Sequence, residues 1–429
     1  MKRILSLIDG FFFRKISASG FGLMRIAWAA VILVFMLGSA SDVVRYWSGV
    51  GIIPTMYEHL VLRNAYRFSL LSFITDPIPV VLLWITMLWC VACSMLGIRT
   101  RLMTILSFVF LCSFQERNVY ILSSGDSLLR LIGFILVIAP TIDAYSLDRL
   151  HRKNTAPATM SIWPYRLLLW QYIVIYLTSV SDKLKGELWK NGTSIAAVFH
   201  HTDFFRFPKI VADYLTPLSH TLTWSWIGYS VLWALLLIPK STWNVFPKRL
   251  RQHSLKRFLI LGGVFFHGGI FLTMDVGLFS FAMFTGYVGL LLDEDFEVIR
   301  KFFNAGRKEK IIVLYDGSCG LCTRSMTILM SLDCLRRLRL INFRDSALRK
   351  QYAPDITEKN LDRAMHIRLP NGKIFTGFDA FKMLAKHLPA LWISIPFLSL
   401  PFIGTIGRRI YARIAKRRLR CTEGHCVHQ

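Results

Sequence analysis

The chain has 429 residues, of which 54% are hydrophobic and only 18% charged, with a mean hydropathy of +0.45. That is too apolar for an ordinary water-soluble protein of several domains, and membrane insertion is the simpler account. The net charge of +26 would suggest nucleic acid in a soluble protein, but here Lys and Arg fall in short loops between apolar segments, so topology explains them and no nucleic-acid partner is expected.

In chain order, 1–43 has a basic leader, an apolar run and the small residues Gly38-Ser39-Ala40. A cleaved signal peptide is one reading, but the leader is long and interrupted by Phe11-Phe12-Phe13, so a retained first span is expected. Eight apolar segments reach or approach the roughly 20 residues that span a hydrocarbon core. They lie near 21–38, 78–96, 102–122, 127–142, 164–181, 222–238, 258–274 and 276–292. Every second loop is basic: Arg14 and Lys15, Arg99 and Arg101, Arg149 to Lys153, Lys248 to Arg257, and Arg300 to Lys310. Positive loops stay in the cytosol, which predicts a multi-pass protein of the cell (inner) membrane with both termini cytosolic. Within the spans, Asp126 and Arg130 are one turn apart and are expected to neutralise each other. Arg25 and Arg166 are expected to snorkel.

From about 311 the texture becomes that of a small soluble α/β unit, after a basic linker at 299–310. Strands are predicted at 311–315, 338–343 and 364–369, and Asn371-Gly372 turns the third into a fourth at 373–376. Helices are predicted at 322–332 and 379–387. Strand, helix, strand, hairpin, helix is the thioredoxin order. The unit runs to 390. A tail at 391–429 is first apolar but broken by Pro396 and Pro401, then basic from Arg408 to Arg420, and is expected along the membrane surface.

At the first strand-to-helix junction stands Cys319-Gly320-Leu321-Cys322. A helix N-terminus stabilises a thiolate, and two intervening residues let the sulfurs bridge, so Cys319 is the expected attacking thiol and Cys322 the resolving one. Asp316 is either a proton acceptor for the resolving thiol or a helix-capping carboxylate. A zinc site would need two more ligands, for which Cys421, His425, Cys426 and His428 are available, but the strand-before, helix-after setting favours redox use and no metal is expected. Cys90, Cys93, Cys112 and Cys334 read as inert, and His200, His201 and Asp203 as a weak metal signal.

The run Tyr315-Asp316-Gly317-Ser318-Cys319-Gly320-Leu321-Cys322 resembles the signature of the DCC family (DUF393) of predicted thiol-disulfide oxidoreductases, and Phe343-Arg344-Asp345, Gly377-Phe378-Asp379-Ala380 and Tyr411-Ala412-Arg413-Ile414-Ala415 are similar to its later landmarks. The likeness covers about 311–419. Asp362-Arg363 stands where thioredoxins proper carry a cis-proline. Upstream, Asp182-Lys183-Leu184, Trp189-Lys190-Asn191-Gly192, His267 and Leu278 to Met283 look like the HTTM family over about 15–295. That family's membrane domain is similar to the vitamin K-dependent gamma-carboxylase. The resemblance implies Lys183 as a base that deprotonates a reduced quinone and His267 as its hydrogen-bonding partner. The carboxylase has a double lysine where this chain has Asp182-Lys183, and its large non-cytosolic substrate-gripping domain has no counterpart here.

The expected whole is a polytopic α-helical membrane domain, 1–298, followed by a small thioredoxin-like α/β domain. The expected function is a membrane-anchored thiol-disulfide oxidoreductase using Cys319 and Cys322, with a protein or small-molecule thiol partner and a quinone, hydroquinone or lipid-like ligand in the membrane cavity. The rival is a transporter or peptide-maturation protein whose small domain senses redox state or binds zinc.

Overall fold

The computed structural model describes residues 8–54, 69–151, 158–238, 242–245, 247, 251–306, 309–415, 419–422 and 425–428. Of the basic loop residues, Arg152, Lys153, Lys248, Arg249, Arg307 and Lys308 lie outside the described residues, as do Lys416, Arg417 and Arg418 of the tail. The chain forms two compact units, Met1–Asp293 and Glu294–Gln429.

The first unit is mostly helical. A short antiparallel pair, β1 (Lys15–Ser17) with β2 (Thr159–Ser161), ties the chain's start to the entry of its fifth long helix. The long helices are α1 (Ser19–Gly38), α2 (Pro77–Leu96), α3 (Thr100–Arg117), α4 (Ser124–Ile138), α5 (Trp163–Lys183), α6 (Ser219–Leu232), α7 (Gln252–Thr273) and α8 (Phe279–Gly289). Their shared core holds Trp28, Phe21, Met24, Leu129, Leu168, Tyr172 and Tyr287, all nearly or fully buried.

Among the described residues, three helices are long and apolar enough to cross a membrane, α1, α2 and α7, which corrects the expected eight. The physical reason is length and polarity. α4, α6 and α8 have 15, 14 and 11 residues, short of the roughly 20 a bilayer core needs. α3 ends in Glu116-Arg117, and α5, though 21 residues long, carries Arg166, Gln171, Asp182 and Lys183. On α2 the residues Ile78, Leu82, Ile85 and Trp89 form an exposed apolar stripe, and Phe258, Leu261, Phe265 and Leu272 do the same on α7. Such stripes are stable against lipid and costly in water.

Two sequence expectations about charges are also corrected. Arg25 does not snorkel; it is fully buried, and its guanidinium donates to the carbonyls of Ile142 (3.0 Å), Met95 (3.2 Å), Ala144 (3.3 Å), Tyr145 (3.2 Å) and Ser94. One fork of five N–H donors thus fastens the end of α2 to the loop after α4. Asp126 does not pair with Arg130. It completes a capping box with Ser123 at the start of α4 and accepts from Gln115 Nε2 at 2.9 Å, while Arg130 pairs with Glu116.

The second unit begins with α9 (Asp293–Phe303), which covers part of the stretch read as linker. Then come β3 (Ile311–Tyr315), α10 (Gly320–Leu332), β4 (Leu338–Asn342), α11 (Ser346–Tyr352), α12 (Glu358–Arg363), β5 (His366–Arg368), β6 (Ile374–Thr376), α13 (Gly377–His387) and α14 (Pro401–Ala415). The sheet order is β4-β3-β5-β6, with β3 and β4 parallel and the other neighbours antiparallel. A right-handed crossover through α10 is the usual way to join parallel neighbours, and Asn371-Gly372, with Gly372 at φ +80°, closes the β5–β6 hairpin. Val313, Ile367, Leu384 and Leu388 make the core on one face of the sheet, and Leu314, Ile341, Phe343 and Leu361 on the other. The tail is joined to this unit: the Tyr411 hydroxyl accepts the Met365 N–H at 2.9 Å, and Gly407 lies so close to the Phe378 ring that a β-carbon there would clash.

Candidate functional site: a dithiol at a helix N-terminus

Cys319 is the N-cap of α10, in extended conformation, and its Sγ accepts the N–H of Cys322 at 3.3 Å. β3 delivers the chain to this point because Ile311–Tyr315 is a buried β-branched run, and the helix starts at once behind it. A sulfur that receives a helix N-terminal N–H is placed where negative charge is stabilised. Neither sulfur is in a disulfide. Cys319 is 1% exposed, whereas Cys322 is half-buried.

The turn before the pair is held by polar side chains. The Asn342 side-chain oxygen at the end of β4 accepts from the Gly317 N–H at 2.9 Å and the Arg344 N–H at 3.2 Å. A β-carbon at Gly317 would strike the Asn342 amide, so glycine is needed there, while Gly320 faces open space. Asp316 accepts from Ser318 Oγ (2.6 Å) and Ser318 N (3.0 Å), and from Arg344 through Nε (3.0 Å) and Nη2 (2.7 Å). Burial pushes the Asp316 carboxyl up, but the hydrogen bonds from Arg344 and Ser318 outweigh it and hold the group at about 2. A carboxylate held there is charged at any ordinary pH and orders the turn before α10, whose N-cap is Cys319; a proton acceptor works best with a pKa near the operating pH.

Arg344 also reaches Asp362 (2.5 Å) and Glu358 (3.0 Å) and is itself pushed up by this carboxylate company, the Asp316 hydrogen bond first. Arg344 therefore links the motif turn to α12. Sequence reading noted Arg344 and Asp362 but gave neither a partner; they are 28 and 46 residues beyond Asp316, with no local pattern to join them. β3 ends, β5 begins and β6 ends at the same edge of the sheet, and a cleft of about 580 Å³ opens there, lined by Arg363, Thr376, Phe378, Arg408 and Tyr411. Arg363 makes no ion pair among the described residues.

In the helical unit, Lys183 Nζ donates to Ser179 Oγ at 2.8 Å and sits 3.4 Å from the Trp226 ring centre and 4.9 Å from that of Trp189. Its neighbour Asp182 pairs with Lys185 at 2.7 Å and not with Lys183. His267 is 2% exposed; its Nε2 meets the Tyr176 hydroxyl at 3.1 Å, and its Nδ1 has no partner among the described residues. Tyr176 and Lys183 lie two turns apart on one face of α5, and Trp226 joins Lys183 to Phe266 beside His267, with rings at 5.6 Å and 5.1 Å. The Tyr176 hydroxyl also bonds that of Tyr287. These tyrosines were not singled out from the sequence; nothing separates them there from other aromatic core residues.

His200 bonds Asp213 at 3.0 Å, and no group of three metal-ligating side chains occurs among the described residues. The side chains of Cys421, His425, Cys426 and His428 lie outside the described residues.

A dithiol at a helix N-cap, on an α/β unit that follows a helical unit with membrane-length helices, defines a membrane-associated protein of the thiol-redox class. The chain belongs to the HTTM family: the model of the HTTM domain matches residues 13–292, and the DCC1-like thiol-disulfide oxidoreductase model matches 313–423. Both resemblances read from the sequence are thereby borne out, in one chain. No curated protein and no solved structure matches it. Neither family match supports coupling to a quinone.

Proposed function

We propose that the chain is a multi-pass, membrane-anchored thiol-disulfide oxidoreductase whose thioredoxin-like domain works through Cys319 and Cys322. The observation that carries this reading is the Cys319 sulfur at the N-terminus of α10 accepting the Cys322 N–H. In the exchange, a thiolate of the pair attacks a partner disulfide, a mixed disulfide forms and one partner thiolate leaves. The second thiolate of the pair then attacks the mixed disulfide, closing Cys319–Cys322 and releasing the other partner thiol, so two electrons pass to the partner. The reverse sequence oxidises a partner dithiol. Cys319, at the helix N-terminus, takes the attacking role, and docking of the partner or local opening uncovers it. Asp316 and Arg344 set the turn.

The test is a thiol redox titration of full-length protein by alkylation across a dithiothreitol series, with Cys319→Ser as control. The reading expects one reversible two-electron transition at roughly −180 to −270 mV. Thiols that stay reduced throughout would overturn it.

A second reading concerns the helical unit. A cation with no carboxylate partner and a buried imidazole nitrogen with no hydrogen-bond partner, both among the described residues, support a site for the polar head of a lipid-like ligand between Lys183 and His267. Lys183→Ala and His267→Ala should each lower recovery of a co-purifying amphiphile in mass spectra of the extracted protein. Equal recovery from all three proteins would rule the site out.

A further inference from the structure

Helix α14 carries three stripes. Gly407 and Tyr411 face the α/β unit, where they meet Phe378 and Met365. Beside that packed face, Phe402, Ile406, Ile410 and Ile414 recur every four residues and are 57%, 46%, 52% and 49% exposed. On the far side of the apolar stripe, at the same spacing, come Arg409 and Arg413, both exposed and without an ion pair among the described residues. The stripe is therefore not the buried side of an amphipathic helix, which α14 also has. It is a second apolar face flanked by cations.

The sequence around it is one-sided in charge. Between Ala380 and Thr422 there is no Asp or Glu, against nine Lys and Arg. A second copy of this basic chain would meet repulsion there, whereas an anionic surface would be attracted. The same chain carries membrane-length helices, so a bilayer is at hand. Large apolar side chains beside arginines whose stems can lie along the hydrocarbon boundary are what a helix lying in that boundary needs.

We propose that Phe402, Ile406, Ile410 and Ile414 form a docking surface for an anionic phospholipid bilayer, with Arg409 and Arg413 on the headgroups. The Tyr411 and Gly407 contacts on the adjoining face hold α14 to its domain, so docking fixes the attitude of the dithiol unit to the membrane. A partner of Cys319 and Cys322 would then present its thiols close to the membrane surface.

The inference rests on the membrane-anchored reading. The experiment places a photoreactive benzoylphenylalanine at Ile410 of the full-length protein, in nanodiscs of mixed phosphatidylcholine and phosphatidylglycerol and in phosphatidylcholine alone. Irradiation should give a phospholipid adduct in the mixed discs that falls about fivefold or more in phosphatidylcholine alone and with Arg409→Glu plus Arg413→Glu. Adducts only to a second copy, only to the chain's own helical unit, or to neither overturn the proposal, as does an adduct indifferent to headgroup charge. Amide protection at Met365 reports that α14 is still seated, and the probe at Ile406 repeats the reading. The dithiol titration on the same sample separates the two ideas, since thiols that titrate without a lipid adduct remove the docking alone.

Discussion

Arg344 and Asp316 form a two-point ion pair, Nε to Oδ1 at 3.0 Å and Nη2 to Oδ2 at 2.7 Å, that ties the end of β4 to the turn carrying the cysteines. The Asp316 carboxyl sits at about 2 in the folded chain, below its ordinary 3.8. Its contribution is thus complete above about pH 4 and fades as pH falls toward 2. Asp316→Asn is expected to lose about 1–2 kcal/mol at neutral pH, a figure reduced for solvent screening. It should also lose the acid-dependent part of the protection of the Gly317 and Ser318 amides. Hydrogen exchange from pH 5 downward checks this, and an unchanged acid limb would show that the carboxylate is not its source.

Exposure runs opposite to the expected order of attack in the dithiol. With Cys319 1% exposed and Cys322 half-buried, iodoacetamide should modify Cys322 first, by roughly tenfold, and reach Cys319 only after local opening. Peptide mass spectrometry of briefly alkylated protein gives the order. Cys319 reacting first would mean that the open form is the one that meets reagents.

Gly407 is fixed by the Phe378 ring. Gly407→Ala should push α14 off its domain at a cost of about 1–3 kcal/mol. The readout is faster exchange at Met365, whose amide depends on Tyr411. Gly404→Ala, one turn earlier, meets only the far end of Arg408 and should leave that amide protected.

Arg25 supplies donors to five carbonyls inside the helical unit. Arg25→Lys keeps the charge but not the fork, and Arg25→Met leaves the carbonyls without partners; each should destabilise by about 3–5 kcal/mol. Thermal unfolding in detergent, followed by tryptophan fluorescence, measures it. Equal melting of the lysine variant and the parent would show that charge alone suffices.

The four strands of the α/β unit were legible because Ile311–Tyr315 is an apolar run, Leu338, Leu340 and Ile341 mark the second strand, and Asn371-Gly372 dictates a hairpin. The helices at Ser346–Tyr352 and Glu358–Arg363 were not, since seven and six residues show too little of a helical period. One signal for the first was present: Asp345 caps it, accepting from the Ala347 and Leu348 amides, and Asp just before a helix is a start signal. Cys319 and Cys322 could be named from spacing, but Arg344 as the hub of three carboxylates could not, because its partners come together only when β3, β4 and α12 have folded. In the helical unit, apolar runs marked where helices lie but overstated how many have the length to cross. The Asp126 and Arg25 expectations failed because other groups claim both side chains: Asp126 caps its own helix and accepts from Gln115 of α3, and Arg25 holds carbonyls at the end of α2 and in the loop after α4.

The bond between Tyr411 and Met365 spans 46 residues. During synthesis, the amide at the head of β5 stays without this partner until the ribosome has passed Tyr411. A chain stopped anywhere between Thr376 and Tyr411 would hold Cys319, Cys322 and every strand of the four-stranded sheet, yet leave one main-chain donor beside the cleft unfilled, about 1 kcal/mol or more of strand stability. Completion of the redox unit is thereby deferred to the arrival of the helix that bears the exposed apolar stripe.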